Sequence, residues 1–347
     1  MSRIARLAER LDAPLLVTYE PNVRYLTGFS SSNAALLVEP DGSATLYADF
    51  RYASRGREVE GVTFVEVSRY LVSSLAEELA GRTVGFEAAH LPYAGFHTLE
   101  LGGVTPLPTT GLVEALRAVK DDAEIDAIRR AGALSDEVFE LLANERFTGK
   151  TERELSWWVE RTFRDRGAED VSFGTVVAAG ETASSPHAIP GDTPIEPGVL
   201  VVVDAGCVVS GYCSDCTRTF AVGDVSDRLR WLYALCLEAQ LAGLAAVGPG
   251  VTGVDADAAS RKPIEGEGLG WAYGHGLGHG VGIEVHETPV LRPESTDTLA
   301  AGNVVSVEPG IYLPDEGCGV RIEDLVLVTK DDAERLTQFT KELVTVA

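Results

Sequence analysis

Val201-Val202-Val203-Asp204-Ala205-Gly206, carried on through Ser210-Gly211-Tyr212-Cys213-Ser214-Asp215-Cys216-Thr217-Arg218, sets two aspartates in apolar, strand-forming sequence on either side of a Ser-Gly turn signal. A hairpin turning at Ser210-Gly211 makes Asp204 and Asp215 neighbours, because facing residues of an antiparallel pair stand close together. An ionised carboxylate inside an apolar run is costly unless something compensates it. Two such carboxylates meeting across a strand pair ask for a divalent cation, one able to chelate and the other to bridge. The bland alternative, aspartates turned to solvent, is weakened because Asp204 closes a run of valines.

Three later segments extend the pattern. Gly274-His275-Gly276-Leu277-Gly278-His279-Gly280-Val281-Gly282-Ile283-Glu284-Val285-His286-Glu287 holds three of the chain's six histidines. Its interleaved glycines disfavour a helix and permit close backbone approach, so it reads as a tight loop wrapped around a site. It does not meet the GxGxxG spacing of a dinucleotide site. Val304-Val305-Ser306-Val307-Glu308-Pro309-Gly310-Ile311-Tyr312 places Glu308 in a valine run, and Gly319-Val320-Arg321-Ile322-Glu323-Asp324 opens a strand expected over Val320–Val328. In one continuous strand Arg321 and Glu323 share a side, so Arg321 can hold a carboxylate or substrate group beside Glu323. Asp204, Asp215, His279, Glu308 and Glu323 together form an oxygen-rich donor set with one nitrogen. Such a set suits Mn, Co, Zn or Fe in hydrolytic chemistry.

The rest of the chain bounds this reading. Its 347 residues allow two domains, and 45% apolar with 24% charged residues is ordinary for an enzyme. A net charge of −24 argues against nucleic acid and against an anionic membrane surface as partners. No apolar run is long enough to span a bilayer. The opening MSRIARLAERLDAPLLV reads as an amphipathic helix leading into a strand rather than a secretory signal, and five cysteines fit a reduced, cytoplasmic setting. Cys213 and Cys216 form a lone CxxC, a weak signal read as structural or incidental.

Residues 1–116 alternate short strands (Pro14–Thr18, Ala34–Val38, Ala44–Ala48, Thr83–Glu87) with helices such as Leu71–Leu79, the mixed pattern of a small α/β domain. A helical stretch at Ala115–Ala143 opens the second domain, residues 117–347. A further helix follows from Thr151 to Arg166 with Thr151 and Glu154 as a capping box, then a strand at Phe173–Ala179 and a long helix at Arg228–Val247.

The ordered motifs VDAG, GYCSDCTRTF, GHGLGHGVGIEVHE, SVEPGIY and VRIEDLVLV resemble the pita-bread metallopeptidases, the family of aminopeptidase P, prolidase and methionine aminopeptidase. The resemblance implies an α/β (α+β) chain whose catalytic domain carries a curved, mainly antiparallel sheet. It implies two divalent ions (Mn, Co or Zn), with Asp204 on one, His279 and Glu308 on the other, and Asp215 and Glu323 bridging. It further implies hydrolysis of the first peptide bond by a hydroxide bridging the ions. Glu308 would handle the proton, while His286 and His187 contact the substrate and stabilise the tetrahedral intermediate. His275 is a further candidate of this kind, and Tyr212 and Tyr312 with His187 are possible walls of a proline slot.

The N-terminal stretch Asn22-Val23-Arg24-Tyr25-Leu26-Thr27-Gly28-Phe29, followed by Ser31-Ser32-Asn33-Ala34, resembles the domain shared by aminopeptidase P, prolidase and creatinase. Methionine aminopeptidase generally lacks it, and creatinase works without this metal set. The resemblance ranks a short bacterial Xaa-Pro aminopeptidase first, with Xaa-Pro dipeptidase as the alternative. It implies short proline-containing peptides as substrates and a homodimer. A binding-only member of the fold would be expected to lose ligands, and none of the five is missing here.

Overall fold

A computed structural model describes residues 1–347 as two compact units, Met1–Arg117 and Ala118–Ala347. In the first unit, strands β1 (Leu15–Val17), β2 (Ala34–Val38), β3 (Ala44–Asp49), β4 (Thr63–Val67), β5 (Thr83–Glu87) and β6 (Thr105–Thr109) form one mixed sheet in the order β4-β3-β2-β1-β5-β6. Helices α1 (Arg3–Ala8), α2 (Glu20–Thr27), α3 (Ala53–Gly56), α4 (Leu71–Glu78), α5 (Tyr93–Leu101) and α6 (Glu114–Arg117) connect them. Leu16, Leu37, Leu75 and Val84 centre one core cluster of this unit.

The long helix expected over Ala115–Ala143 is interrupted. α6 stops at Arg117, and α7 (Asp122–Leu142) starts afresh from Asp121. The reason is local: Asp121 accepts from the Glu124 amide at 3.0 Å while the Glu124 side chain accepts from the Asp121 amide at 2.9 Å. This reciprocal capping box is a helix start written into the middle of the apolar periodicity. The capping box expected at Thr151 and Glu154 opens α8 (Glu152–Asp165) as read.

The second unit also holds α9 (Asp227–Ala246) and α10 (Gly253–Gly266). Its strands are β7 (Asp170–Val171), β8 (Val176–Ala179), β9 (Leu200–Ala205), β10 (Cys207–Val209), β11 (Tyr212–Cys213), β12 (Cys216–Val222), β13 (Gly278–Gly280), β14 (Glu287–Leu291), β15 (Val304–Val307), β16 (Gly310–Leu313), β17 (Cys318–Arg321), β18 (Asp324–Val328), β19 (Ala333–Arg335) and β20 (Thr345–Val346). They pair as β11-β10-β7, β20-β12-β9-β8, β14-β13-β15-β18-β19 and β16-β17. Apart from the parallel β12–β20 pair these ladders are antiparallel, in line with the expected fold class. No helix is long and apolar enough to cross a membrane.

The strands follow their period of two. On β9, Val201, Val203 and Ala205 enter the core with Phe139, Phe163 and Phe220, so Asp204 is left to the opposite face. On β15, Val305 and Val307 pack in a second core, which leaves Ser306 and then Glu308 to the other side.

Candidate metal centre

The turn between β10 and β11 has positive φ at both central residues, 51° at Ser210 and 78° at Gly211. That is the type I′ geometry that matches the twist of a tight hairpin. It also corrects the expected register. Asp204 lies six residues before Ser210 and Asp215 four after Gly211, so Asp204 pairs with Thr217 rather than with Asp215. The offset is even, so both aspartates stay on one side. A Cβ on Gly206 would sit 2.0 Å from the Ser214 carbonyl, so the chain can pass there only as glycine.

His279 stands on β13 instead of in a loop, with β14 on one side and β15 on the other. The glycines explain this. A Cβ at Gly278 would come 2.1 Å from the Ser306 carbonyl oxygen, and one at Gly280 would come 2.3 Å from that of Thr288. Gly278→Ala is therefore expected to push β13 off β15 and lower stability by about 1–3 kcal/mol, read by urea unfolding. An unchanged midpoint would contradict this packing.

Ser306 fixes the next two donors. Its hydroxyl accepts from the His279 amide at 3.1 Å and donates to Glu308 Oε1 at 2.9 Å. Pro309 follows Glu308 and has no N–H to extend the ladder. His279 Nε2 lies 3.1 Å from Glu308 Oε1 and 3.8 Å from Asp215 Oδ2. Its Nδ1 lies 3.2 Å from the Gly280 carbonyl, which can only accept, so Nδ1 carries a proton and Nε2 is the donor atom aimed at the carboxylates.

The single strand expected over Val320–Val328 is broken. β17 ends at Arg321 and pairs with β16, whereas β18 starts at Asp324 and pairs with β15. Glu323 occupies the break, its amide donating to the Thr217 carbonyl at 3.1 Å. The Thr217 hydroxyl donates to Glu323 Oε2 at 2.8 Å and accepts from Arg321 Nε at 3.1 Å. Thr217 thus brings together the two residues that strand alternation alone was expected to align. It lay two residues beyond Asp215 in an obvious motif, and period-two counting from Asp215 would have found it.

Carboxylate oxygens of Asp204, Asp215 and Glu323 all lie within 4.8 Å of one another. Asp204 Oδ1 and Glu323 Oε1 are buried without any hydrogen-bond partner. Burial, and then the charges of the other carboxylates, push Asp215 and Glu323 well above the usual carboxylate range. Glu308 goes the other way. Burial, the largest single influence, would raise it, but the His279 hydrogen bond together with the charges of His279, His275 and Arg321 outweighs that and holds it at about 2. Burial would depress His279, yet the hydrogen bond and charge of Glu308 raise it instead. An orphaned pair of buried oxygens, three crowded carboxylates and a directed imidazole nitrogen fit a divalent cation.

The remaining residues of interest surround this cluster. Arg321 is buried, and its NH2 donates to Asp204 Oδ2 at 2.6 Å while NH1 donates to the Tyr312 hydroxyl at 2.9 Å. The Tyr312 hydroxyl is also 2.9 Å from His275 Nε2. His286 stands with its ring 4.2 Å from that of His279, and burial followed by the His279 charge lowers its pKa. His187 lies on an exposed stretch, and its charge reaches His286. Tyr212 sends its hydroxyl to Glu124 Oε1 at 2.9 Å, on the first turn of α7. Cys213 and Cys216 are buried free thiols; burial pushes Cys213 up to about 12 and Cys216 well above its ordinary value, which leaves both inert.

Residues 126–330 match the model of metallopeptidase family M24. The chain belongs to this family. Residues 3–119 match the creatinase/prolidase N-terminal domain, so the M24 catalytic domain here follows that partner domain. The chain is 38% identical over 336 residues to the uncharacterized peptidase YqhT of Bacillus subtilis, with 95% of each chain covered. Among solved structures, an Xaa-Pro dipeptidase from Bacillus anthracis superposes with a TM-score of 0.94 at 37% identity, covering 99% of both chains. An X-Pro aminopeptidase from Thermotoga maritima superposes at 0.88 with 30% identity, covering 98% of this chain and 99% of that one. As an M24 peptidase the protein is a metal-dependent hydrolase, and its acidic cluster lies inside the matched residues.

Proposed function

We propose that this M24 peptidase is an Xaa-Pro dipeptidase using two divalent ions. The observation that carries the choice is the 37% identity over 99% of both chains with a protein named for that activity. This reverses the order expected from the motifs, which put Xaa-Pro aminopeptidase first. That second reading keeps the support of the Thermotoga maritima structure, at lower identity.

Asp204, Asp215, His279, Glu308 and Glu323 would hold the ions. When bound, such ions supply Lewis acidity toward the scissile carbonyl and an activated water. The chain's own residues then divide the remaining work. Glu308, kept ionised beside His279, is placed to accept a proton on the carboxylate oxygen that Ser306 and His279 leave free. His286, neutral and exposed next to His279, can donate to the oxygen that gains charge, and His187, on the exposed stretch before Pro190, would contact the substrate beside it. Arg321 keeps Asp204 in place from behind.

Chelator-stripped protein resupplied with Mn, Co or Zn and offered Xaa-Pro and Xaa-Pro-Yaa tests this reading. The dipeptide is expected to be cleaved with kcat/KM about 100-fold or more above the tripeptide, a ratio of about 2.7 kcal/mol in transition-state binding. Efficient release of the first residue from the tripeptide would make the protein an aminopeptidase instead. Failure on both would remove the proline-peptidase reading.

A further inference from the structure

Asp257 and Arg261 stand one turn apart on α10, a helix outside every motif. Arg261 Nε lies 2.5 Å from Asp257 Oδ2 and NH2 lies 3.0 Å from Oδ1. The pair also grips backbone. Arg261 NH1 donates to the Tyr273 carbonyl at 2.9 Å, NH2 donates to the His275 carbonyl, and Asp257 Oδ1 accepts from the Leu277 amide at 2.9 Å. The guanidinium also lies over the Tyr273 ring, 4.1 Å from its centre. One ion pair therefore holds three alternate backbone groups of Tyr273–Leu277, a stretch in which Gly274 and Gly276 would otherwise leave the chain free.

What it holds is His275. The Gly276 carbonyl, 2.7 Å from His275 Nδ1, can only accept, so Nδ1–H donates to it. Arg321 can only donate, so its NH1 gives a hydrogen bond to the Tyr312 oxygen, and the phenol proton goes to His275 Nε2. Both ring nitrogens are engaged. His275 is thus a strut between α10 and Tyr312, and the contacts continue from Tyr312 through Arg321 to Asp204.

We propose that the Asp257–Arg261 pair is a positioning device for the metal centre, setting the orientation of Asp204 through His275, Tyr312 and Arg321. It rests on reading Asp204 as a ligand. Groups that orient ligands from behind typically contribute 10–100-fold to metal affinity or activity.

The test is Mn2+ titration calorimetry on the full chelator-stripped chain, comparing wild type, Arg261→Met, Arg261→Lys, Tyr312→Phe and the Arg261→Met/Tyr312→Phe double variant, with a thermal melt of each. Arg261→Met is expected to weaken Mn2+ binding by about 10-fold or more. Arg261→Lys should recover part of that loss. The double variant should bind within about twofold of Tyr312→Phe alone, because a broken relay cannot be broken twice. Wild-type Mn2+ affinity in Arg261→Met, with only a lower melting temperature, would reduce the pair to a structural clamp. Additive losses would show that its effect bypasses Tyr312. Should Arg261→Met not fold, Asp257→Asn and Arg261→Lys put the same comparison. A wild type that binds no Mn2+ would overturn the metal-centre reading and this inference with it; normal wild-type binding with unaltered variants overturns the inference alone.

Discussion

Glu323→Gln is expected to lower kcat/KM for Xaa-Pro hydrolysis by about 1,000-fold or more, since a metal centre contributes several kcal/mol to the transition state. Glu323 is nearly fully buried, shares its space with Asp204 and Asp215, and leaves Oε1 without a partner. The stability signature separates loss of a ligand from loss of the fold. Without metal, the glutamine removes one of several repelling carboxylates, so the variant should melt no lower than metal-free wild type. With Mn2+ at about 100 times its Kd, the wild type gains about 2.7 kcal/mol. That corresponds to a rise of about 5–10 °C for a unit of this size. The variant should lose most of that rise. Glu323→Gln melting well below metal-free wild type would mean that the carboxylate holds the fold rather than a cation.

Asp324→Ala is expected to do the opposite, damaging the fold first. Asp324 is fully buried and its Oδ1 takes the Arg218 guanidinium at 2.7 Å. Its Oδ2 takes Lys341 Nζ at 2.6 Å and Gln240 at 3.0 Å. Arg218 is itself nearly buried and donates onward to the carbonyls of Thr217, Phe339 and Thr340. Removing the carboxylate strands a buried cation, which costs about 3–5 kcal/mol, much of the stability of an ordinary domain. Denaturant unfolding should show that loss, with Asp324→Asn milder because it keeps an acceptor. A loss under about 1 kcal/mol would show that water or neighbouring acceptors compensate Arg218.

The contrast between these adjacent residues shows what could be read from sequence and what could not. Both lie in one motif, Val320-Arg321-Ile322-Glu323-Asp324. Valine runs and turn signals located β9, β15 and the Ser210-Gly211 hairpin, because hydrophobic period and turn chemistry are local. The expected register was off by two residues, for counting outward from the turn sets Asp204 against Thr217 and not against Asp215. The strand break at Ile322-Glu323 was not legible, since Val320–Val328 is uniformly strand-forming and only pairing with two different partners divides it. Nor was the restart of the helix at Asp121 evident within an unbroken apolar stripe, although the Asp121-Glu124 spacing marked it. The glycines of Gly274–Gly282 signalled close approach correctly, but whether by loop or strand depended on β14 and β15 lying alongside. Asp257 and Arg261 gave no sign of function, for an i, i+4 ion pair on a helix is ordinarily a surface feature. Their partners lie 12 to 20 residues onward in a segment that only the tertiary fold brings back to α10.

The most direct measurement is equilibrium dialysis of the chelator-stripped chain against Mn2+, with bound metal counted per polypeptide. Two ions per chain in the wild type, falling to one or none in Glu323→Gln, is the result expected if the five proposed ligands hold two ions and Glu323, clustered with Asp204 and Asp215, is shared between them. A wild type that retains no Mn2+ at concentrations supporting catalysis, or a Glu323→Gln variant that still retains two, would contradict it.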